Sequence, residues 1–166
     1  MVEIQRAEPR DVPALAALME EIDRFYGATD AEPPDQRIPE ITANLFQEPR
    51  AAYVLLAWEG EHLAGMAAYS FLWPAAGVTR SLYVKELYVT EVFRRKGVGV
   101  LLMQRLCQVA VEHECSRIEW TADEGNVLAE DFYEQLGVPQ NREKIFYRLE
   151  GDELRRRIVT SNCVEY

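Results

Sequence analysis

Residues 80–102 constrain this chain's fold more tightly than any other stretch. Arg80 to Thr90 reads as a strand, with Leu82, Val84, Leu87 and Val89 apolar. It passes directly into Glu91 to Gly99, a basic, glycine-bearing loop. Val98, Leu101, Leu102, Leu106 and Val109 then recur at helical spacing. Strand, tight loop and helix in immediate succession put a helix layer against a sheet. The alternation slips between Val84 and Leu87, where three steps separate like residues, and an extra residue of this kind is what a β-bulge needs.

The loop itself has a chemistry. Gly97 and Gly99 let the backbone approach a ligand closely. The amides of the first helical turn, Val98 to Val100 among them, are unpaired and carry the positive end of the helix dipole. Arg94, Arg95 and Lys96 add charge, so a pyrophosphate fits there. A plain glycine turn with solvated basic residues fits the same fragment equally well. The spacing is neither that of a Walker loop nor that of the GxGxxG dinucleotide fingerprint.

Around this segment the chain reads as a succession of short elements. Val2 to Ala7 is a strand. Asp11 caps a helix carrying Leu15, Leu18, Met19, Ile22, Phe25 and Tyr26 and ended by Gly27. Ala28 to Pro39, with three prolines and three acids, reads as a mobile surface loop, and Ile41, Leu45 and Phe46 as a short second helix. Ala51 to Glu59 and Leu63 to Trp73 form a hairpin across Gly60-Glu61-His62. Arg117 to Ala122 is a further strand, Asn126 to Gly137 a helix, Lys144 to Leu149 a last strand and Gly151 onward an arginine-rich helical tail. The fold class expected is α+β. A mixed, mainly antiparallel central sheet is flanked by helices in a single three-layer domain spanning residues 1–166.

Apolar residues make up 48% of the 166, enough for one core. Lys and Arg number 18 and Asp and Glu 28, for a formal charge of −10. That balance argues against nucleic acid and against an anionic membrane as partners. An acidic field attracts cationic small molecules, although a charge of this size also serves solubility alone. Cys107, Cys115 and Cys163 show no metal-like spacing and read as free thiols in a cytoplasm, with Cys107 on the buried face of its helix. No metal site is expected, and neither His62 nor His113 reads as a ligand. Met1 to Asp11 is polar and charged, so no signal peptide is expected.

Arg94-x-x-Gly97-x-Gly99 resembles the acyl-CoA signature of the GNAT N-acetyltransferase superfamily, Gln/Arg-x-x-Gly-x-Gly/Ala. Asn126-x-x-Ala129-x-x-Phe132-Tyr133-x-x-Leu136-Gly137 resembles that family's second motif, at a typical distance. The likeness runs from Val2 to Leu149. It is closest to the diamine (spermidine/spermine-like) branch, which includes thialysine-type enzymes. Ser81 to Val89 and Phe146-Tyr147-Arg148-Leu149 carry that likeness.

The resemblance implies acetyl transfer from acetyl-CoA to a primary amine of a small cationic acceptor, in a homodimer. Leu87, Tyr88 and Val89 would run beside the pantetheine arm where two strands splay, with the Val89 amide polarising the thioester carbonyl. Amides of Arg95 to Val100 would hold the pyrophosphate. Asn126 would bond the pantetheine, with Val127, Leu128 and Ala129 alongside. Glu86 is expected as base or amine-orienting carboxylate, and Tyr133 as the acid for the leaving thiolate. Phe25 and Tyr26 stand where the branch forms a substrate wall, and Asp30, Glu32 and Asp35 offer to recruit a cation. One departure concerns the acceptor. The branch carries two neighbouring carboxylates where this chain has Lys85-Glu86. A lysine facing the pocket would repel a polycation, whereas strand alternation would turn Lys85 away where Glu86 faces in.

Competing readings keep the fold and change the role. An antibiotic, amino-acid or protein amine would serve as acceptor equally well. A domain sensing acyl-CoA without chemistry, or a scaffold with an idle glycine loop, would need neither Glu86 nor Tyr133.

Overall fold

The computed structural model describes residues 1–159, so Cys163 lies outside the described residues. Two compact units are present, Met1–Glu124 and Gly125–Tyr166, the second followed as far as residue 159.

The first unit is built on a five-stranded sheet in chain order. It comprises β1 (Val2–Arg6), β2 (Tyr53–Glu59), β3 (His62–Leu72), β4 (Arg80–Val89) and β5 (Cys115–Trp120). β1 to β4 pair antiparallel, and β5 joins β4 in parallel. The crossover to β5 is the helix α3 (Val98–Glu112). Helices α1 (Val12–Phe25) and α2 (Pro34–Phe46) precede the hairpin. The mixed, mainly antiparallel α+β sheet expected from the sequence is the one observed.

Alternation along the strands feeds two apolar layers. Val54, Leu56, Met66 and Tyr88 join Leu15, Leu18 and Ile22 of α1 in one buried cluster, with Ile41 and Leu45 of α2 packed against it. Leu55, Ala67, Tyr69, Leu82 and Val84 are buried as well and point to the opposite face. There α3 contributes Val98, Leu102, Leu106 and Val109. Cys107, one step past Leu106, is turned about 100° away on a 3.6-residue helix. It is exposed, contrary to the expectation of a buried thiol.

Two further expectations are corrected. The presumed loop ending at Pro39 is helical from Pro34, with Pro39 inside α2. Pro34 suits a first helical turn, and the hydrogen bond that Pro39 forfeits is offset by tertiary ties. Arg37 Nη1 lies 2.7 Å from Asp23 Oδ2 on α1, and Arg37 Nε donates to the Glu32 carbonyl at 2.6 Å. Lys144 to Leu149 forms no strand. Its apolar side chains stand exposed, Ile145 at 76% and Tyr147 at 84%, and strand propensity is realised only on a pleated surface with a partner.

The second unit holds α4 (Val127–Gln135) and α5 (Gly151–Val159), joined by residues without regular structure. The Asn126 side chain caps α4 by accepting from the Ala129 N–H at 3.2 Å.

Candidate acyl-transfer site

The bulge foreseen in β4 falls on Lys85. Glu86 pairs with Ala68 and Val84 with Tyr69, so Lys85 is the residue without an opposite number. Paired residues of a ladder share a face. Val84 therefore lies on the α3 face with Tyr69, while Glu86 and Tyr88 lie on the α1/α2 face with Ala68 and Met66. An unbulged strand would keep Glu86 on the same face as Val84.

The face that Glu86 joins carries a cavity of about 400 Å³. Leu15, Met19, Ile41, Leu45, Val54, Met66 and Ala68 form its apolar walls. Glu32, Arg37, Glu40, Asn44, Lys85 and Glu86 supply polar groups. Lys85 thus lines the same cavity as Glu86, contrary to simple alternation, because the bulge breaks the period at that residue. The α2 contribution was missed in the sequence, since Glu40 and Asn44 looked like ordinary polar helix positions. Of the acidic residues singled out before α2 and at its start, Glu32 reaches the cavity and Asp30 and Asp35 are not among its lining residues.

Glu86 is half-buried, and burial pushes its carboxyl above the ordinary carboxylate range. The Tyr26 hydroxyl donates to Glu86 Oε1 at 3.4 Å, and the Tyr26 bond, the Lys85 charge and the Leu87 N–H all oppose the rise. Tyr26 is itself raised, first by burial and then by the Glu86 charge. Phe25 ends α1 beside Tyr26. Its ring meets those of Tyr26 and Tyr88 edge-on and lies under the Arg94 guanidinium at 4.8 Å.

Beyond Val84 the β4–β5 ladder ends, the last pair being Val84 with Trp120. β4 continues to Val89 on β3 alone, so its other edge is open over the last residues of the strand. Thr90 N–H donates to the Ala64 carbonyl, which turns the N–H and C=O of the preceding Val89 toward the open edge. Leu87 has the same sense as Val89, and its N–H opposes the rise in the Glu86 pKa. Gly65, opposite Val89, was not singled out in the sequence. A Cβ there would stand 2.5 Å from the Tyr88 carbonyl, so glycine is what lets β3 and β4 close together at this point.

The loop after β4 is pinned rather than loose. Arg94 Nε donates to the Val89 carbonyl at 3.0 Å, and its guanidinium also stacks over Tyr88. Tyr88 donates to Glu21 at 2.9 Å, and burial followed by that bond pushes its phenol up to about 12. The Arg94 side chain is therefore a latch between the loop, β4 and the end of α1, and not a free charge. Arg95 and Lys96 are exposed. Gly97 takes φ +82, a left-handed turn that only glycine adopts without strain, and starts α3 as its N-cap. Leu101 N–H is bonded back to the Gly97 carbonyl, so the amides of Val98, Gly99 and Val100 precede the helix's own hydrogen bonds. The open strand edge and this amide-rich helix start fit a long, anionic, amide-bearing ligand such as acyl-CoA.

In the second unit, Asn126 Oδ1 is occupied by the cap, which leaves its side-chain amide N–H₂ as the donor. Tyr133 is partly buried beside Phe132, ring centroids 5.1 Å apart.

The acetyltransferase (GNAT) family pattern matches residues 15–138. The chain belongs to the GNAT acetyltransferase family. This GNAT chain is 34% identical over 92 residues to an L-ornithine N5-acetyltransferase of Arabidopsis thaliana, covering 55% of the chain and 40% of that relative. It is 26% identical over 100 residues to a thialysine N-epsilon-acetyltransferase of Sus scrofa, covering 58% of each. The chain thus spans roughly half the length of these curated relatives, which agree with the diamine branch read from the sequence. Among solved structures, an integron cassette protein from the mobile metagenome of V. cholerae superposes with a TM-score of 0.88 at 32% identity. That superposition covers 96% of this GNAT chain and 98% of the other.

Proposed function

We propose that this protein is an acetyl-CoA-dependent N-acetyltransferase acting on a primary amine of a small cationic acceptor, of the kind taken by the diamine branch with its thialysine-type members. The observation that carries the reading is Glu86. A bulge directs this half-buried carboxylate into an acid-bearing cavity, on the strand whose pairing with β5 ends two residues earlier, at Val84. The family match, residues 15–138, runs across both compact units, which supports a single catalytic domain. By family resemblance we take it to be a cytoplasmic homodimer. Among the described residues no helix is long and apolar enough to cross a membrane.

In this reading, bound acetyl-CoA supplies an acetyl group activated as a thioester. Amides of Arg95 to Val100 hold its pyrophosphate, with Arg95 and Lys96 adding charge and Arg94 fixing the loop. Leu87 to Val89 line the pantetheine, and the family's second motif gives Asn126 and Val127 to Ala129 a pantetheine-binding role by resemblance. An alkyl ammonium has a pKa of about 10.4, so the acceptor arrives protonated and must lose a proton before its nitrogen can attack. Glu86 takes that proton, directly or through water, and its raised pKa makes it a better base than an ordinary carboxylate. The Val89 N–H is the donor for the oxygen that gains negative charge. Tyr133, by its place in the second motif, returns a proton to the leaving sulfur.

The experiment separates chemistry from binding. Tyr133→Phe is expected to lose turnover by about 100-fold while acetyl-CoA still raises the melting temperature as in the wild type. A variant with unchanged turnover would remove Tyr133 from the mechanism. A wild type that acetyl-CoA fails to stabilise would remove the acetyl-CoA dependence.

A further inference from the structure

The charge pattern of the cavity is not that of a polycation site. Glu32, Glu40 and Glu86 suit ammonium groups, but two cations line the same walls. Arg37 is already committed, with its side chain 11% exposed, its guanidinium on Asp23 and its Nε–H on the Glu32 carbonyl. Lys85 is not. It is exposed, and no carboxylate lies within ion-pair distance of it among the described residues. It lines the cavity beside Glu86 because the bulge leaves these two consecutive residues on one face, where regular alternation would have separated them.

We infer that Lys85 is a specificity residue that selects acceptors carrying a carboxylate beside their amines, a basic diamino acid rather than a simple diamine or polyamine. This rests on the acceptor role proposed above for the cavity. Glu86 takes the reacting amine, and Lys85, the adjacent residue, offers its ammonium to the acceptor's carboxylate. The cavity's other acids, Glu32 just before α2 and Glu40 on it, are placed for the second ammonium. An extended polyamine meets Lys85 as a like charge, whereas a zwitterionic acceptor meets each wall with the opposite sign. The cavity of about 400 Å³ has room for a molecule of that size.

The test uses acceptor pairs that differ only by the carboxylate, ornithine against putrescine and lysine against cadaverine, with kcat/KM read from CoA release. The wild type is expected to favour the amino acid of each pair. Lys85→Gln is expected to lower that preference by roughly five- to tenfold, as a partly exposed charge contact would. Lys85→Arg, which keeps the charge, is expected to retain most of it. The amino-acid-to-diamine ratio within each variant cancels any general loss of folded enzyme. A wild type that prefers the diamines, or a ratio that Lys85→Gln leaves unchanged, overturns the inference while leaving acetyl transfer standing. No CoA release with any of the four acceptors overturns both this inference and the acceptor role of the cavity.

Discussion

Glu86 carries opposite consequences for activity and for stability. As a base it must be ionised, so kcat/KM is expected to fall as the pH drops through its pKa. Burial raises that pKa, so the fall begins at a higher pH than for a solvated glutamate. Glu86→Gln should lower kcat/KM by at least about 100-fold and remove this acid limb, with acetyl-CoA binding retained. Stability runs the other way. The folded chain holds the Glu86 proton more tightly than the unfolded chain does. Its contribution is therefore complete below the ordinary glutamate pKa and is lost as the pH rises through the raised one. Glu86→Gln should accordingly melt higher than the wild type at neutral pH, and a melting series from acid to neutral pH checks the sign.

At the level of single elements, what the sequence disclosed depended on whether a feature was local. The β4 slip was visible as three steps between Val84 and Leu87, because a broken period of two shows in any short window. The glycine-bearing loop before α3 and the helix opening at Asn126 were visible as well, because each rests on a few neighbouring residues. The start of α2 was not. Two prolines and a run of acids look like a loop until Arg37 is seen bonded to Asp23, a residue on another helix. Lys144 to Leu149 failed in the reverse direction, with strand-like residues but no ladder. Gly65 carried a weak signal, an isolated glycine within an apolar strand, whose meaning lies in the Tyr88 carbonyl across the ladder. Gly65→Ala is expected to cost about 1–3 kcal/mol in denaturant unfolding. It should also reduce turnover beyond that loss, because the backbone that must yield is the one presenting the Val89 amide.

For the molecule as a whole, a formal charge of −10 sets a field that favours cationic acceptors over neutral ones. The kcat/KM for a doubly charged acceptor is therefore expected to fall several-fold between low salt and about 0.5 M salt, as screening shortens the reach of that field. A neutral-backbone amine measured in parallel should change less. The charge sum was legible from composition alone. Which cations and acids face one cavity was not, because that depends on the bulge, on α2 and on a salt bridge that consumes Arg37.

The most direct measurement is CoA release by the wild-type protein with acetyl-CoA and a panel of primary amines, the product identified by mass. The panel takes in diamines, polyamines, basic amino acids, an aminoglycoside and a lysine peptide. Saturable turnover on a small cationic amine, with one acetyl group gained on its nitrogen and none without acetyl-CoA, is the result predicted. An absence of turnover across the panel, with a melting temperature that acetyl-CoA does not move, would contradict the central claim.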